Sequence, residues 1–243
     1  MRRHQLAQML IIGLIASAIG IAVALSINWF PKVASTQAED IDTLFDILII
    51  ASVPIFVLVE VVVLFSVWKF HMRPGQELED GPPIHGNTLL EVVWTAIPAL
   101  LLVGLCGYSY KVLRDIEEKP KNEIVVNVTG QQFAWSFEYA GQRAKVTSEQ
   151  LYLPEGRSVE FHVRSKDVIH DFWVPEFRQK IDAVPGITTK YRITPNRLGA
   201  YPVVCAELCG LGHSTMRQTV HVLPASKWES WMARKVAQAS RQT

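Results

Sequence analysis

Cys205, Cys209, His213 and Met216 follow one another at intervals of four, four and three residues, with Glu207 between the two cysteines. Thiolate, thioether and imidazole donors together select copper or zinc over magnesium or calcium, because soft donors prefer soft or borderline ions. A mononuclear blue-copper site asks for one thiolate, two imidazoles and a weak axial thioether. The late loop supplies all but one imidazole. His170, in KDVIHDFWVPEF downstream of the strand-like SVEFHVRS, fits the missing place. A second cysteine exceeds that need. Two thiolates can each bridge two metal ions, so that each copper also takes one imidazole, with Met216 axial to one and a backbone carbonyl near Glu207 axial to the other. Such a core spreads one electron over two metals in a rigid scaffold, which suits electron relay rather than bond-making.

Blander uses of the same residues stand beside this one. A C-x3-C pair outside the cell fits a short structural disulfide, since that compartment permits one. A Cys2His2 zinc site would leave Met216 without a role, because zinc takes thiolate, imidazole and carboxylate. Cys106 lies inside an apolar run and reads as a small buried hydrophobe. His162 alternates with apolar residues as a sheet histidine does, and His221 reads likewise. His71 and His85 carry no ligand signal.

The elements that must position this cluster are of two kinds. Of 243 residues, 49% are apolar and 19% charged, and nearly all of the apolar excess precedes residue 111. The net charge of +1 offers no basic surface for nucleic acid. Residues 9–27 hold no charge and are long enough to cross a bilayer, since about 20 helical residues span about 30 Å. A second run, Ile47 to Trp68, is interrupted by Pro54 and Glu60, and a third, Leu89 to Tyr110, holds Glu91 and Pro98. Backbone in lipid must pair its own amides, so each run reads as a helix, and Glu60 reads as facing a partner helix.

Arg2 and Arg3 precede the first run, and Lys69 and Arg73 follow the second, whereas PKVASTQAEDID between the first two runs has one Lys and three acids. By the positive-inside tendency the N-terminus and the second loop are cytoplasmic, and everything after about residue 111 lies outside. The first run reads as a retained helix or a cleaved signal; its apolar core exceeds the roughly 7–15 residues usual for a signal. From Glu123 the texture becomes EIVVNVTG, FAWSFEYA, KVTSEQLYLP, SVEFHVRS, TTKYRITP, AYPVVCAE and RQTVHVLP, seven or more short strands that suggest an antiparallel sandwich or barrel. SKWESWMARKVAQASRQT closes the chain as an amphipathic or frayed helix. The expected division is 1–30 for the N-terminal helix or signal, 45–111 for a transmembrane helical hairpin, 112–230 for an external domain and 231–243 for a C-terminal tail.

HDFWVPEF followed by CAELCGLGHSTM, with two helices ahead, resembles the copper A domain of subunit II of haem–copper cytochrome c oxidases over roughly residues 45 to 230. The resemblance implies an all-β cupredoxin-like Greek-key sandwich or barrel behind the membrane hairpin. It implies a dinuclear copper centre held by His170, Cys205, Cys209, His213, Met216 and the Glu207 carbonyl. The Glu207 side chain would face a magnesium ion shared with subunit I. Glu91, in GNTLLEVVWTAIPALLL, matches a glutamate associated with proton uptake, against the alternative of an interfacial carboxylate with water access. Asp182, in QKIDAVPG, resembles a position near the magnesium and haem-propionate region, and Asp167 an acidic position on the face that docks cytochrome c.

The family's Q-W-x-W stands here as Gln132-Phe133-Ala134-Trp135. The tryptophan associated with electron uptake is thus replaced by Phe133, leaving Phe133 and Trp135 as candidates, with Trp135 also reading as buried core. The implied setting is a proton-pumping oxidase, a translocase of a bacterial-type plasma or other energy-transducing membrane, with the C-terminal domain on the outer side. Its implied partners are subunit I with haem and copper, subunit III, the lipid bilayer and a soluble donor such as cytochrome c. Oxygen chemistry would belong to subunit I, since this chain has no haem-attachment C-x-x-C-H. A membrane-tethered copper chaperone is the rival of a different class; its sites are open and Met-rich, whereas this chain has five Met. A quinol-oxidase subunit would lack the ligands, and the copper domain of nitrous oxide reductase would lack the hairpin.

Overall fold

In a computed structural model of the chain, residues 3–72, 74–75, 83 and 85–241 are described. Arg2 and Arg73, two of the cations behind the expected orientation, lie outside them. Three helices open the chain: α1 (Arg3–Ser26), α2 (Thr36–Phe70) and α3 (Thr88–Ile116), each long and apolar enough to cross a membrane. Their large side chains, such as Leu14, Phe56 and Leu100, are exposed, the pattern of surfaces made for lipid rather than for a protein core. α2 starts eleven residues before its apolar run, because its first turns are polar and paired elsewhere. Gly20 lets α1 and α2 approach, since a β-carbon there would lie 2.9 Å from Val53 Cγ1. Asn87 caps α3: its Oδ1 accepts from Leu90 N at 3.1 Å while Glu91 Oε1 accepts from Asn87 N at 3.2 Å, a reciprocal capping box.

The chain divides into two compact units, residues 1–28 with 43–111, and residues 29–42 with 112–243. The second unit is a two-sheet sandwich. Its strands are β1 (Ile124–Gln131), β2 (Ala134–Tyr139), β3 (Val146–Ser148), β4 (Leu151–Pro154), β5 (Val159–Ser165), β6 (His170–Trp173), β7 (Lys180–Ala183), β8 (Thr189–Ile193), β9 (Gly199–Cys205) and β10 (Arg217–Leu223). One sheet runs β3-β2-β1-β5-β8 and the other β4-β10-β9-β6-β7. Inward residues Val126, Val128, Phe137, Phe161, Val163, Phe172, Val203 and Val220 are fully buried between them, as strand alternation requires.

The pairing is not wholly antiparallel, as the sequence suggested. β1 runs parallel to β5 and β4 parallel to β10. KVTSEQLYLP, read as one strand, breaks into β3 and β4 and changes sheet, so the returning β5 lies beside β1 in the same direction. β6 and β7 were not anticipated as strands. Each has four residues, and β6 shows no alternation because Asp171 is buried between His170 and Phe172. α4 (Ala225–Ala239) packs Trp228 and Met232 against the sandwich, and Trp228 Nε1 donates to the Tyr152 carbonyl at 2.9 Å. The expected division at residue 230 falls between those two buried side chains, so a docked helix and not a free tail closes the domain.

Residues 29–42, the connector from α1 to α2, belong to this unit too. Ala34, Ser35 and Ala38 are fully buried. Ala34 N donates to Glu176 O at 3.0 Å, Asn196 N to Ala34 O at 3.1 Å and Thr36 N to Thr194 O at 3.0 Å. The Arg178 guanidinium donates to both carboxylate oxygens of Asp42, at 2.7 and 3.0 Å, and to the carbonyls of Pro31 and Pro175. Such fork-to-fork pairing is the strongest geometry an arginine offers.

Candidate metal centre

β6 begins at His170 and β9 ends at Cys205, and the two strands pair, Phe172 opposite Cys205. Ala206 N donates to Asp171 O at 3.0 Å and Cys205 N to Met216 O at 3.2 Å, closing residues 206–216 into a loop over the end of the sandwich. Cys209 lies on that loop, His213 opens a short 3-10 turn (His213–Thr215), and Met216 follows it. Beneath, Gly130 makes room for the imidazole: a β-carbon there would sit 3.0 Å from both His170 Cδ2 and the Trp135 ring.

The donor atoms converge. Cys205 Sγ lies 3.9 Å from Cys209 Sγ, 3.9 Å from His170 Nδ1 and 3.2 Å from the Glu207 carbonyl oxygen. Cys209 Sγ lies 3.7 Å from His213 Nδ1 and 3.8 Å from Met216 Sδ. Two donors each about 2.0–2.3 Å from one ion stand about 3.3–3.8 Å apart at tetrahedral angles, so these spacings suit shared ions rather than direct hydrogen bonds. Both cysteines are free thiols. His170 and Met216 are fully buried, Cys205 and Cys209 nearly so, and His213 is half-buried. Burial first, and the neighbouring Cys205 next, push the Cys209 thiol up to about 11. Two thiolates side by side in this setting need a compensating cation. The donor set therefore fits a soft metal.

A supporting layer holds the imidazole. His170 Nε2 donates to Asp167 Oδ1 at 2.9 Å, which fixes the tautomer and leaves Nδ1 free toward Cys205. Asp167 also accepts from Gln132 N at 2.7 Å, Val168 N at 2.8 Å and Ser165 Oγ at 3.2 Å. Burial works against its charge, yet these hydrogen bonds prevail and hold the carboxyl below the usual carboxylate range. Gln132 Nε2 in turn donates to the Cys209 carbonyl at 2.6 Å. The sequence reading placed Asp167 on a docking face and missed both of these supporting roles. The Asp three residues before a candidate ligand histidine was the available signal; Gln132 lies 77 residues from Cys209 and gave none.

The two aromatic candidates separate. Phe133 is 36% exposed and its ring covers Gly210 and Gly212, where a β-carbon at residue 212 would lie 2.5 Å from it. Trp135 is buried, edge-on to His170 at 5.9 Å and to Phe172 at 5.4 Å. His162 pairs with Glu160 at 2.9 Å, and His221 stacks on Tyr152 and bonds Gln150, both away from the cluster. Glu91 caps α3 in the other unit, where Glu60 is exposed on α2.

At the β6–β7 edge Asp171 stands opposite Asp182. Burial pushes the Asp171 carboxyl up to about 6; Lys180 opposes the shift, and Asp182 and Glu207 add to it. Asp171 as a buried acid was not foreseen, since aspartate is usually exposed.

A family model described as the cytochrome C oxidase subunit II transmembrane domain matches residues 21–112, and one described as the periplasmic domain of that subunit matches residues 141–223. Cytochrome c oxidase subunit 2 of Thermostichus vulcanus is 32% identical over 283 residues, covering 91% of this chain and 85% of that protein. The protein of the same name from Synechocystis sp. is 29% identical over 271 residues, covering 92% and 81%. A crystal structure of the periplasmic domain of subunit II of cytochrome oxidase from Bradyrhizobium japonicum is 27% identical with a TM-score of 0.45, covering 51% of this chain and 97% of that one.

Proposed function

Because the chain belongs to the cytochrome c oxidase subunit II family, we propose that its external domain holds two copper ions and relays single electrons from a soluble donor, cytochrome c or a similar carrier, toward haem in subunit I. There oxygen is reduced to water. The observation that carries this reading is the pair of buried thiols 3.9 Å apart, each with its own imidazole: His170 beside Cys205 and His213 beside Cys209. One metal does not need both halves. Met216 and the Glu207 carbonyl complete the two ends. When bound, the two coppers supply a one-electron couple.

The chain's own residues do the rest. Asp167 keeps the His170 Nδ1 lone pair pointed at the cluster, and burial excludes water from the sulfurs. Phe133 offers the donor an aromatic ring against the ligand loop, and Trp135 packs behind His170. Glu207, exposed beside Asp171 and Asp182, is our candidate for a magnesium ion shared with subunit I. Glu91 is our candidate for proton uptake at the start of α3. Subunits I and III are the proposed membrane partners.

The test is the copper content and electron paramagnetic resonance spectrum of the purified full chain. A seven-line hyperfine pattern from two equivalent coppers is expected. A four-line pattern with one copper per chain, or native protein with Cys205 and Cys209 joined as a disulfide, overturns the relay and favours copper delivery or a structural role.

A further inference from the structure

We propose that the groove between α1 and α2 holds one acyl chain of an anionic phospholipid of the cytoplasmic leaflet, its phosphate drawn to the cations at the cytoplasmic ends of the two helices. The groove has a volume of about 310 Å³ and is lined by Leu6, Leu10 and Leu14 of α1 and by Pro54, Leu58 and Val62 of α2, with Gly13 and Ser17 on its wall. Two glycines of α1 mark where it closes and where it opens. A β-carbon at Gly20 would lie 2.9 Å from Val53 Cγ1, so the helices touch there, whereas one at Gly13 would meet nothing within 4 Å. Pro54 brings no N–H to its turn of α2, so the Ile50 carbonyl lacks its helical donor beside the same opening.

The length of the groove selects its occupant. Leu6 to Ser17 is eleven residues, about 16 Å of helix, which is half of the roughly 30 Å hydrocarbon core. A helix of another subunit crosses both leaflets and would need the groove to run on past Gly20, where it is shut. An acyl chain needs one leaflet. At about 100° per residue, Glu60 lies on the far side of α2 from Pro54, Leu58 and Val62. An acid at mid-span takes a protein partner. That side is where a neighbouring subunit packs, which leaves the groove to lipid. Charge selects the head group. Sixteen residues back from Gly20 is His4 and sixteen on from Val53 is Lys69, so the antiparallel helices bring these two exposed residues to one level, with Arg3 beside them. Residues 1–8 and 61–76 contain no Asp or Glu. From Leu6 to Arg3 is about 5 Å along the axis, room for the glycerol between chain and phosphate. A basic rim over an apolar cleft between helices on the cytoplasmic side is the pattern that retains an anionic head group.

The test uses the intact oxidase complex in phosphatidylcholine vesicles that carry a trace of probe lipid with a diazirine at mid-chain, either phosphatidylglycerol or phosphatidylcholine. After irradiation the subunit is digested and the labelled residues are located by mass spectrometry. The phosphatidylglycerol probe should label residues 6–17 and 54–62 about tenfold more than the phosphatidylcholine probe. Elsewhere on the three helices the two should label alike. Gly13→Leu puts a side chain into open space and should abolish the groove label, with copper content and turnover unchanged. Arg3→Gln with Lys69→Gln should bring the phosphatidylglycerol label down to the phosphatidylcholine level. Equal labelling by the two probes in the wild type overturns the anionic head group. Labelling that survives Gly13→Leu overturns the groove. A benzoyl-phenylalanine in place of Leu10 that crosslinks to a protein chain, or a mature subunit that begins after α1, overturns lipid as the occupant. None of these outcomes touches the copper reading, which its own spectrum tests.

Discussion

Asp167 shows how much of a metal centre lies one bond beyond its ligands. A carboxylate that accepts the distal N–H of a ligand imidazole raises its basicity and holds its ring, and removing such a partner costs about 10–100-fold in metal affinity. Asp167→Ala should therefore weaken copper binding of the full chain by about that factor, with Asp167→Asn weaker than wild type but tighter than alanine; competition against a chelator measures it. The proposed ligands could be named from the sequence because five of the six fall within twelve consecutive residues, and chemistry rather than geometry demanded the sixth. Asp167 was half-legible, by its spacing from His170. Gln132 was invisible, since only the folded loop brings its amide to the Cys209 carbonyl.

At the scale of elements, a charged network ties β1, β5 and β8 to the segment after α3. Arg192 on β8 donates to Glu123 at 2.9 Å, to Glu160 on β5 at 2.5 Å and to the Glu117 carbonyl at 2.8 Å, while His162 bonds Glu160. Burial alone would raise the Glu160 carboxyl; the bond to His162 and the charge of Arg192 outweigh it and leave the group below its ordinary value. A carboxyl depressed on folding contributes stability that is present above its unfolded value and is lost as pH falls through the folded one. Glu160→Gln should cost about 2 kcal/mol at pH 7, and the gap to wild type should begin to narrow as pH falls below about 4, closing below the depressed folded value. Thermal unfolding of the full chain in detergent across that pH range measures it. Strand texture was readable wherever burial alternates, as in β5 with Phe161 and Val163 inward. It failed in β6, where a buried aspartate between His170 and a core phenylalanine erases the period of two.

Taken whole, the molecule puts two separated stretches of chain into one external body. The polar composition of residues 29–42 reads as a plain loop, and nothing local reveals that Ala34 and Ser35 are sealed under the Pro195 and Glu176 backbones. Arg178 is the residue that makes this attachment specific. Arg178→Ala should leave Asp42 unpaired and the 4%-exposed guanidinium site empty. Breaking such a pair costs about 3 kcal/mol. The loss should appear as a lower melting temperature of the external domain and as faster proteolysis between residues 29 and 42, with the two-copper spectrum of the folded fraction retained. The same clamp sets a timetable for biogenesis. Asp42 leaves the ribosome 136 residues ahead of Arg178. At about 5–20 residues per second, it waits on the order of ten seconds for its partner. Through that interval the translocated stretch must stay hydrated and unassociated, and its run of three acids around Ile41 equips it to do so.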